Sequence, residues 1–300
     1  PADGDSADTL LRRAAVAAAV AKRRAQPVFR YDSECDPFTQ ERLAVVTDLW
    51  GAAERGELRL EFLPAVDLPA RNTVSAEALV RWRRPGKGLL FPCDFIPIAE
   101  RSGSIREITR WVIQEAVAAC ATWQSDGIPL GVAVNLSTAG IHEPGIVEII
   151  EQALQVHGLP PTSLTVELTE SGVMRDPKVA TQVLGSLHAL GVRSAIDDFG
   201  TGYSCLAHLR NLPVHALKID RSFLQGGLAD PQDRNIVQST VNLAHQLGLS
   251  VVAEGVESEA TLELVSSLGC HRAQGHHIAR PLHRRSLGPW LSTSGFPALA

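Results

Sequence analysis

Aromatic residues are scarce. At 5% of 300 positions they are too few for a platform on which single-stranded nucleic acid stacks its bases. There is no basic excess either: the net charge is −5 and the pI about 6.1, which lacks the positive footprint of a duplex-DNA binder. No DNA partner is expected, although one or two arginines suffice to hold the phosphate of a small nucleotide. The five cysteines, Cys35, Cys93, Cys120, Cys205 and Cys270, are odd in number, widely spaced and contain no C-x-x-C. That pattern argues against a disulfide framework or a zinc site and for buried or inert thiols in a reducing, cytoplasmic setting. No stretch approaches the ~20 apolar residues of a membrane helix. Ala14–Ala21 comes nearest, but it is short, rich in alanine and basic on both sides, so it reads as a soluble helix rather than a signal-peptide core. No membrane contact is expected from this segment. The first residue is Pro1, and the expectation is a piece of a longer protein, whose own attachment to a membrane is left open.

The chain is 45% hydrophobic and 20% charged, with mean hydropathy +0.03. Such a chain can bury a core, which excludes disordered and collagen-like classes. Its length suits two average domains or one large α/β barrel. Residues 8–24 read as a helix, with Leu10, Leu11, Val16 and Val20 near helical spacing and Gln26-Pro27 as its end. Thr39–Glu57 reads as a second. From Leu58 onward, strand-like runs alternate with helical ones. The strands fall at Leu58–Leu68, Ser75–Trp82, Gly131–Ser137, Leu164–Glu170, Arg193–Phe199, Ala216–Asp220, Ser250–Val256 and Ala273–Ala279. The helices fall at Ile105–Gln124, Gly145–His157, Lys178–Leu190, Asp233–Leu247 and Ser258–Leu268. Eight such strands predict a TIM-like (β/α)8 barrel preceded by N-terminal helices. Only Pro69–Val74 separates the first two strands, too little for a crossover helix, so they are predicted to pair antiparallel. An open doubly wound sheet would want a phosphate fingerprint after its first strand, and none is present.

Each apolar run ends in an acidic or amide residue, with one lysine in the series. Glu77 lies in S-A-E-A-L, Asn135 in A-V-N-L-S, Glu167 and Glu170 in V-E-L-T-E, and Asp197 and Asp198 in A-I-D-D-F-G. Lys218 and Asp220 follow in L-K-I-D, Glu254 and Glu257 in A-E-G-V-E, and Gln274 in A-Q-G. One acidic strand end ordinarily caps a helix or sits in a solvated turn. A whole series is different, because a barrel brings its C-terminal strand ends to one mouth, where barrel enzymes do their chemistry. Crowded carboxylates raise one another's pKa unless a cation neutralises them. Oxygen ligands without Cys or His select Mg²⁺ or Mn²⁺. Adjacent Asp197 and Asp198 suit a two-ion site, in which a water is activated for displacement at phosphorus. Lys218 would orient that water or offset charge in the transition state. His276 and His277 are adjacent on a predicted strand and point to opposite faces, so no metal pair is expected there.

At these residues the sequence resembles the EAL family of cyclic-di-GMP phosphodiesterases. Glu77-Ala78-Leu79 is the signature, within E-A-L-V-R-W. The likeness continues through F-I-P-I-A-E (Phe95–Glu100), V-N-L-S, E-L-T-E, D-D-F-G-T-G (Asp197–Gly202), L-K-I-D, A-E-G-V-E, Gln274-Gly275 and R-P-L (Arg280–Leu282). The resemblance implies a barrel with an antiparallel first strand that hydrolyses cyclic di-GMP to linear pGpG with Mg²⁺ or Mn²⁺, as two ions, and works as a homodimer. It implies Glu77, Asn135, Glu167 and Asp197 as metal ligands and Asp198 on the second ion. Lys218 and Glu254 would position and deprotonate the water, Arg81 would grip a substrate phosphate, and Gln274 would complete the site. Glu170 would brace the loop Gly200–Leu206. One position departs from the pattern: where the family usually has Tyr-Gln-Pro, with the glutamine on guanine, this chain has Phe62-Leu63-Pro64. Leucine cannot pair with a guanine edge, and an unmet buried polar group costs ~1–3 kcal/mol. The resemblance also extends, more weakly, to the tail of a GGDEF diguanylate cyclase domain at Leu10–Lys22. No GG(D/E)EF motif occurs, so cyclase activity is excluded for this segment. The expected division is a GGDEF remnant and linker over 1–38 and the barrel over 39–300. A binding module that senses cyclic di-GMP without cutting it is the competing expectation.

Overall fold

The computed structural model describes residues 6–23, 27–32, 40–201, 209–224 and 231–298. In chain order these hold α1 (Ala7–Arg23), α2 (Gln40–Leu49), β1 (Leu58–Asp67), β2 (Asn72–Arg84), β3 (Gly88–Leu90), α3 (Pro92–Ser102) and α4 (Ile105–Ser125). Next come β4 (Gly131–Asn135), α5 (Thr138–Ile141), α6 (Ile146–His157), β5 (Leu164–Thr169), α7 (Glu170–Arg175), α8 (Pro177–Leu190), β6 (Arg193–Phe199) and β7 (Ala216–Ile219). The chain finishes with α9 (Pro231–Gln246), β8 (Ser250–Ala253), α10 (Glu259–Ser267), β9 (Arg272–Gln274), β10 (Leu282–His283) and α11 (Leu287–Thr293).

The expected barrel is present. From β2 through β4, β5, β6, β7, β8 and β9 each neighbour pairs in parallel, and β1 closes the ring antiparallel to both β2 and β9. The reversed direction of β1 follows from its short link to β2. It also brings the start of β1 to the mouth where the other strands end. In that register Leu63 lies opposite Glu77, Glu61 opposite Leu79 and Arg59 opposite Arg81. Even-numbered β1 residues Leu58, Leu60 and Phe62 are buried outward, leaving Arg59, Glu61 and Leu63 on the mouth side. Phe62 meets Trp123 of α4 edge to face at 4.8 Å, and Trp82 meets Phe95 of α3 at 5.7 Å. These buried aromatics clamp the antiparallel pair to the helical layer, and truncating one costs ~3–5 kcal/mol.

Two boundaries differ most from expectation. The second helix stops at Leu49 rather than Glu57, because Gly51 and Gly56 both take φ of +67° in the turns that follow; Thr39 lies outside the described residues. The last barrel strand ends at Gln274 rather than Ala279. A Cβ at Gly275 would stand 2.2 Å from the Val256 backbone nitrogen, so the chain passes too close to its neighbour to continue a pleated strand. His276 and His277 therefore lie in a turn, both exposed; His277 Nε2 is 2.8 Å from Glu259 Oε2, and neither lies in an acidic cluster. Short strands β3 and β10 extend the sheet at β2 and β1 and were not expected. Among the described cysteines Cys120 and Cys270 are buried, with thiols pushed up by burial to about 11 and about 12, whereas Cys93 is exposed. No helix among the described residues is long and apolar enough to cross a membrane.

Candidate active site

Several strand ends repeat one local device. A polar side chain enters the mouth, and two residues later a short oxygen-bearing side chain caps the next helix or turn. Asn135 is followed by Ser137, whose hydroxyl accepts from the Gly140 N–H. Glu167 is followed by Thr169, which accepts from the Gly172 N–H. Lys218 is followed by Asp220, which accepts from the Ser222 N–H. Period-2 alternation puts the first residue inside, and the cap ends the strand there. The spacing in V-N-L-S, E-L-T-E and L-K-I-D is thus a construction rule for a mouth.

Asp197 and Asp198 need another device, since neighbours on a regular strand face opposite ways. Here β6 pairs Ile196 with Leu217 and then Phe199 with Ile219, so one extra residue is accommodated on β6. Asp198 absorbs it with a left-handed φ of +53°, a conformation that Asp tolerates better than most residues. Bulges of this kind re-aim side chains beside active sites. Carboxylate oxygens of Asp197, Asp198 and Glu254 come within 4.8 Å of one another, as do those of Glu77, Glu167 and Asp197.

The two groups meet at Lys218, which is 1% exposed. Its Nζ lies 2.6 Å from Glu167, 2.6 Å from Glu254, 3.2 Å from Asp197 and 3.4 Å from Glu77. Asn135 donates to Glu77 at 2.6 Å, and Gln274 Nε2 donates to both Glu77 and Glu254 at 2.8 Å. Burial penalises every charge in this cluster. It pushes the Glu167 carboxyl well above the usual range, with Glu77 and Asp197 adding repulsion that Lys218 only partly offsets. Burial likewise lifts Glu254 to about 8 despite the ammonium beside it, and Asp198 to about 6 with help from Asp197 and Asp220. Burial also opposes the ionised forms of Glu77 and Lys218, but it loses to their partners. Lys218 and the amides of Gln274 and Asn135 hold Glu77 low, and the surrounding carboxylates hold Lys218 high.

One ammonium therefore faces four carboxylates and occupies the position a cation would take among them. This surplus of hard oxygen donors fits a divalent ion: Glu77, Asn135, Glu167 and Asp197 supply one set, and Asp197, Asp198 and Glu254 an adjoining one. Glu170, 3% exposed, accepts the Gly200 N–H at 3.0 Å and so anchors the chain directly after the two aspartates. Residues 202–208 of the loop it was expected to brace lie outside the described residues. Arg81 does not join the cluster. It sits farther out, its Nε donating to Glu61 at 2.9 Å and its guanidinium lying 5.0 Å from the Phe91 ring centre. Leu63 is half-buried opposite Glu77. A cavity of about 390 Å³ is lined by Arg59, Trp111 and Arg284 among others and by none of the clustered carboxylates; one of about 330 Å³ opens beside Asn135, lined by Leu79, Pro92, Ile96 and Ser137. Sequence reading passed over Glu61 and Phe91. The alternation of β1 singles out Glu61 once its antiparallel partner is known.

A closed barrel with a buried carboxylate–lysine cluster at the C-terminal strand ends defines a metal-assisted barrel enzyme by architecture and site. A model of the EAL domain matches residues 47–281, and the chain belongs to that family. It is 36% identical over 290 residues to the cyclic di-GMP phosphodiesterase PA2567 of Pseudomonas aeruginosa, covering 96% of this chain and 49% of that protein. It is 39% identical over 289 residues to the bifunctional diguanylate cyclase/cyclic di-GMP phosphodiesterase MucR of the same organism, covering 96% of this chain and 42% of MucR. The chain thus spans about half the length of these relatives. A solved structure of the PaMucR phosphodiesterase in complex with c-di-GMP superposes with a TM-score of 0.78 at 41% identity, covering 81% of this chain and 99% of that one.

Proposed function

We propose that this segment hydrolyses cyclic di-GMP to linear pGpG. The observation that carries this reading is the buried set of Glu77, Glu167, Asp197 and Glu254 around Lys218, in a chain whose relatives are named for that activity. Glu77, Asn135, Glu167 and Asp197 would hold one Mg²⁺ or Mn²⁺ and Asp198 a second. Bound there, such ions lower the pKa of water and neutralise charge building on the phosphodiester oxygens. Glu254 accepts the proton of the attacking water. Lys218 keeps its charge through its carboxylate neighbours and orients that water, offsetting negative charge in the transition state. Gln274, bonded to both Glu77 and Glu254, keeps the two carboxylates at a fixed separation. Arg81 grips a phosphate, and the cavity beside Asn135 offers apolar walls for a base. Glu170 holds the Asp197–Gly200 turn in place.

Residues 39–300 form the phosphodiesterase unit, and 1–38 are the end of a degenerate cyclase domain and its linker. That division is supported by the bifunctional name of MucR and by an alignment that covers 96% of this chain. The unit works in the cytoplasm as a homodimer. Incubation with Mn²⁺ or Mg²⁺ is expected to yield pGpG, and added chelator to stop it; no product with either ion would refute the reading. A receptor that binds without cutting is the alternative, and Leu63 on the mouth face opposite Glu77 counts against it, because leucine there weakens the grip on a base rather than the chemistry. Tight binding by calorimetry in Ca²⁺ together with no product in Mg²⁺ would establish that alternative.

A further inference from the structure

Glu61 stands outside the acid cluster, on the mouth face of β1, with both carboxylate oxygens occupied. Oε2 accepts from Arg81 Nε at 2.9 Å and Oε1 from Arg59 Nη2 at 2.6 Å. A carboxylate held at both oxygens has little rotational freedom, and charge-assisted bonds of this length are strong. Arg81 is 5% exposed. Its Nη1 donates to the Val80 carbonyl at 3.0 Å, and the Phe91 ring covers it. With Nε and Nη1 engaged, Nη2 is the one nitrogen of this buried guanidinium that has no protein partner among the described residues. The three charges sum to one positive, because two guanidinium groups share one carboxylate. A single phosphodiester carries the complementary charge.

We propose that Glu61 is a positioning residue. It locks Arg81 so that Nη2 meets a phosphodiester oxygen of the substrate, while Arg59, sharing the same carboxylate, keeps the rim cationic. The proposal rests on the cyclic di-GMP reading above. Without Glu61 the Arg81 side chain regains rotamers and its free edge loses its fixed aim, so substrate binding weakens although the acid cluster is untouched. A neutralising role would do the reverse: removing the carboxylate would strengthen phosphate binding.

The test titrates cyclic di-GMP by calorimetry in Ca²⁺ and measures KM and kcat in Mn²⁺ for wild type, Glu61→Ala, Glu61→Gln and Arg59→Ala. Glu61→Ala is expected to raise Kd and KM together by about tenfold, the worth of one charge-assisted hydrogen bond, with kcat falling less than about threefold. Glu61→Gln, which keeps an acceptor oxygen for Arg81, is expected to recover at least a third of that loss. Arg59→Ala is expected to raise KM by about threefold and to flatten its dependence on salt, since one rim charge is gone. A Glu61→Ala protein that binds as tightly as wild type, or more tightly, overturns the proposal. So does a fall in kcat at unchanged KM, the mark of a disturbed catalytic centre. A wild type that does not bind cyclic di-GMP overturns the functional reading and this proposal with it; binding by wild type with equal binding by the variants overturns this proposal alone.

Discussion

The floor of the mouth and its rim are built from opposite charge ratios. On the floor one ammonium, Lys218, is outnumbered by the carboxylates of Glu77, Glu167, Asp197 and Glu254. On the rim one carboxylate, Glu61, is outnumbered by the guanidinium groups of Arg59 and Arg81. The floor is short of positive charge and buried, a condition that divalent ions relieve. The rim has positive charge to spare, which suits an anionic substrate. A phosphodiester bridging the two would meet attraction at both ends, and this polarity is what a metal-assisted phosphodiesterase needs from its scaffold.

The comparison breaks most visibly at Glu77, which bonds Asn135, Gln274 and Lys218 together. Glu77→Ala is expected to lower kcat by about a thousandfold in a product assay, with circular dichroism unchanged. Next comes Lys218→Met. Removing one partner from a buried ionic cluster costs ~3–5 kcal/mol, so denaturant melts in chelator are expected to show a loss of that order, and Mn²⁺ to recover part of it as an added cation. An unchanged melt would mean that the carboxylates do not need the ammonium. Arg81→Ala, at the rim, is expected to raise KM by about ten- to a hundredfold with a lesser effect on kcat. Equal losses in both would place Arg81 on the floor in function if not in position. The smallest effect is expected from Leu63→Gln, which puts an amide opposite Glu77: KM falls by about three- to tenfold with little change in kcat, as uniform binding requires. An unchanged KM would show that another residue reads the base.

The floor was legible in the sequence; of the rim only Arg81 was, and through the family resemblance alone. Glu77, Asn135, Glu167, Lys218 and Glu254 follow apolar runs, and parallel strands in a barrel deliver such positions to one place whatever the fine register. Their caps, Ser137, Thr169 and Asp220, are local signals too. The pairing of Asp197 with Asp198 was foreseen as chemistry but not as geometry, because a bulge depends on the register with β7. Glu61 was invisible because its role depends on which residue lies across from it, and only the antiparallel pairing of β1 with β2 supplies that. The extra strands β3 and β10 are three and two residues long, too short for any periodicity to register. The turn at Gly275 is a matter of contact with Val256, a partner distant in sequence.

Metal binding itself, read without turnover, is the most direct check. Metal-stripped protein titrated with Mn²⁺ by calorimetry, with melting temperature followed in parallel, is expected to show saturable uptake and a rising melting temperature, both lost in Glu77→Ala and Asp197→Ala. Flat heats and an unmoved melting temperature, or uptake that survives both substitutions, would contradict the assignment of this acidic floor to divalent ions.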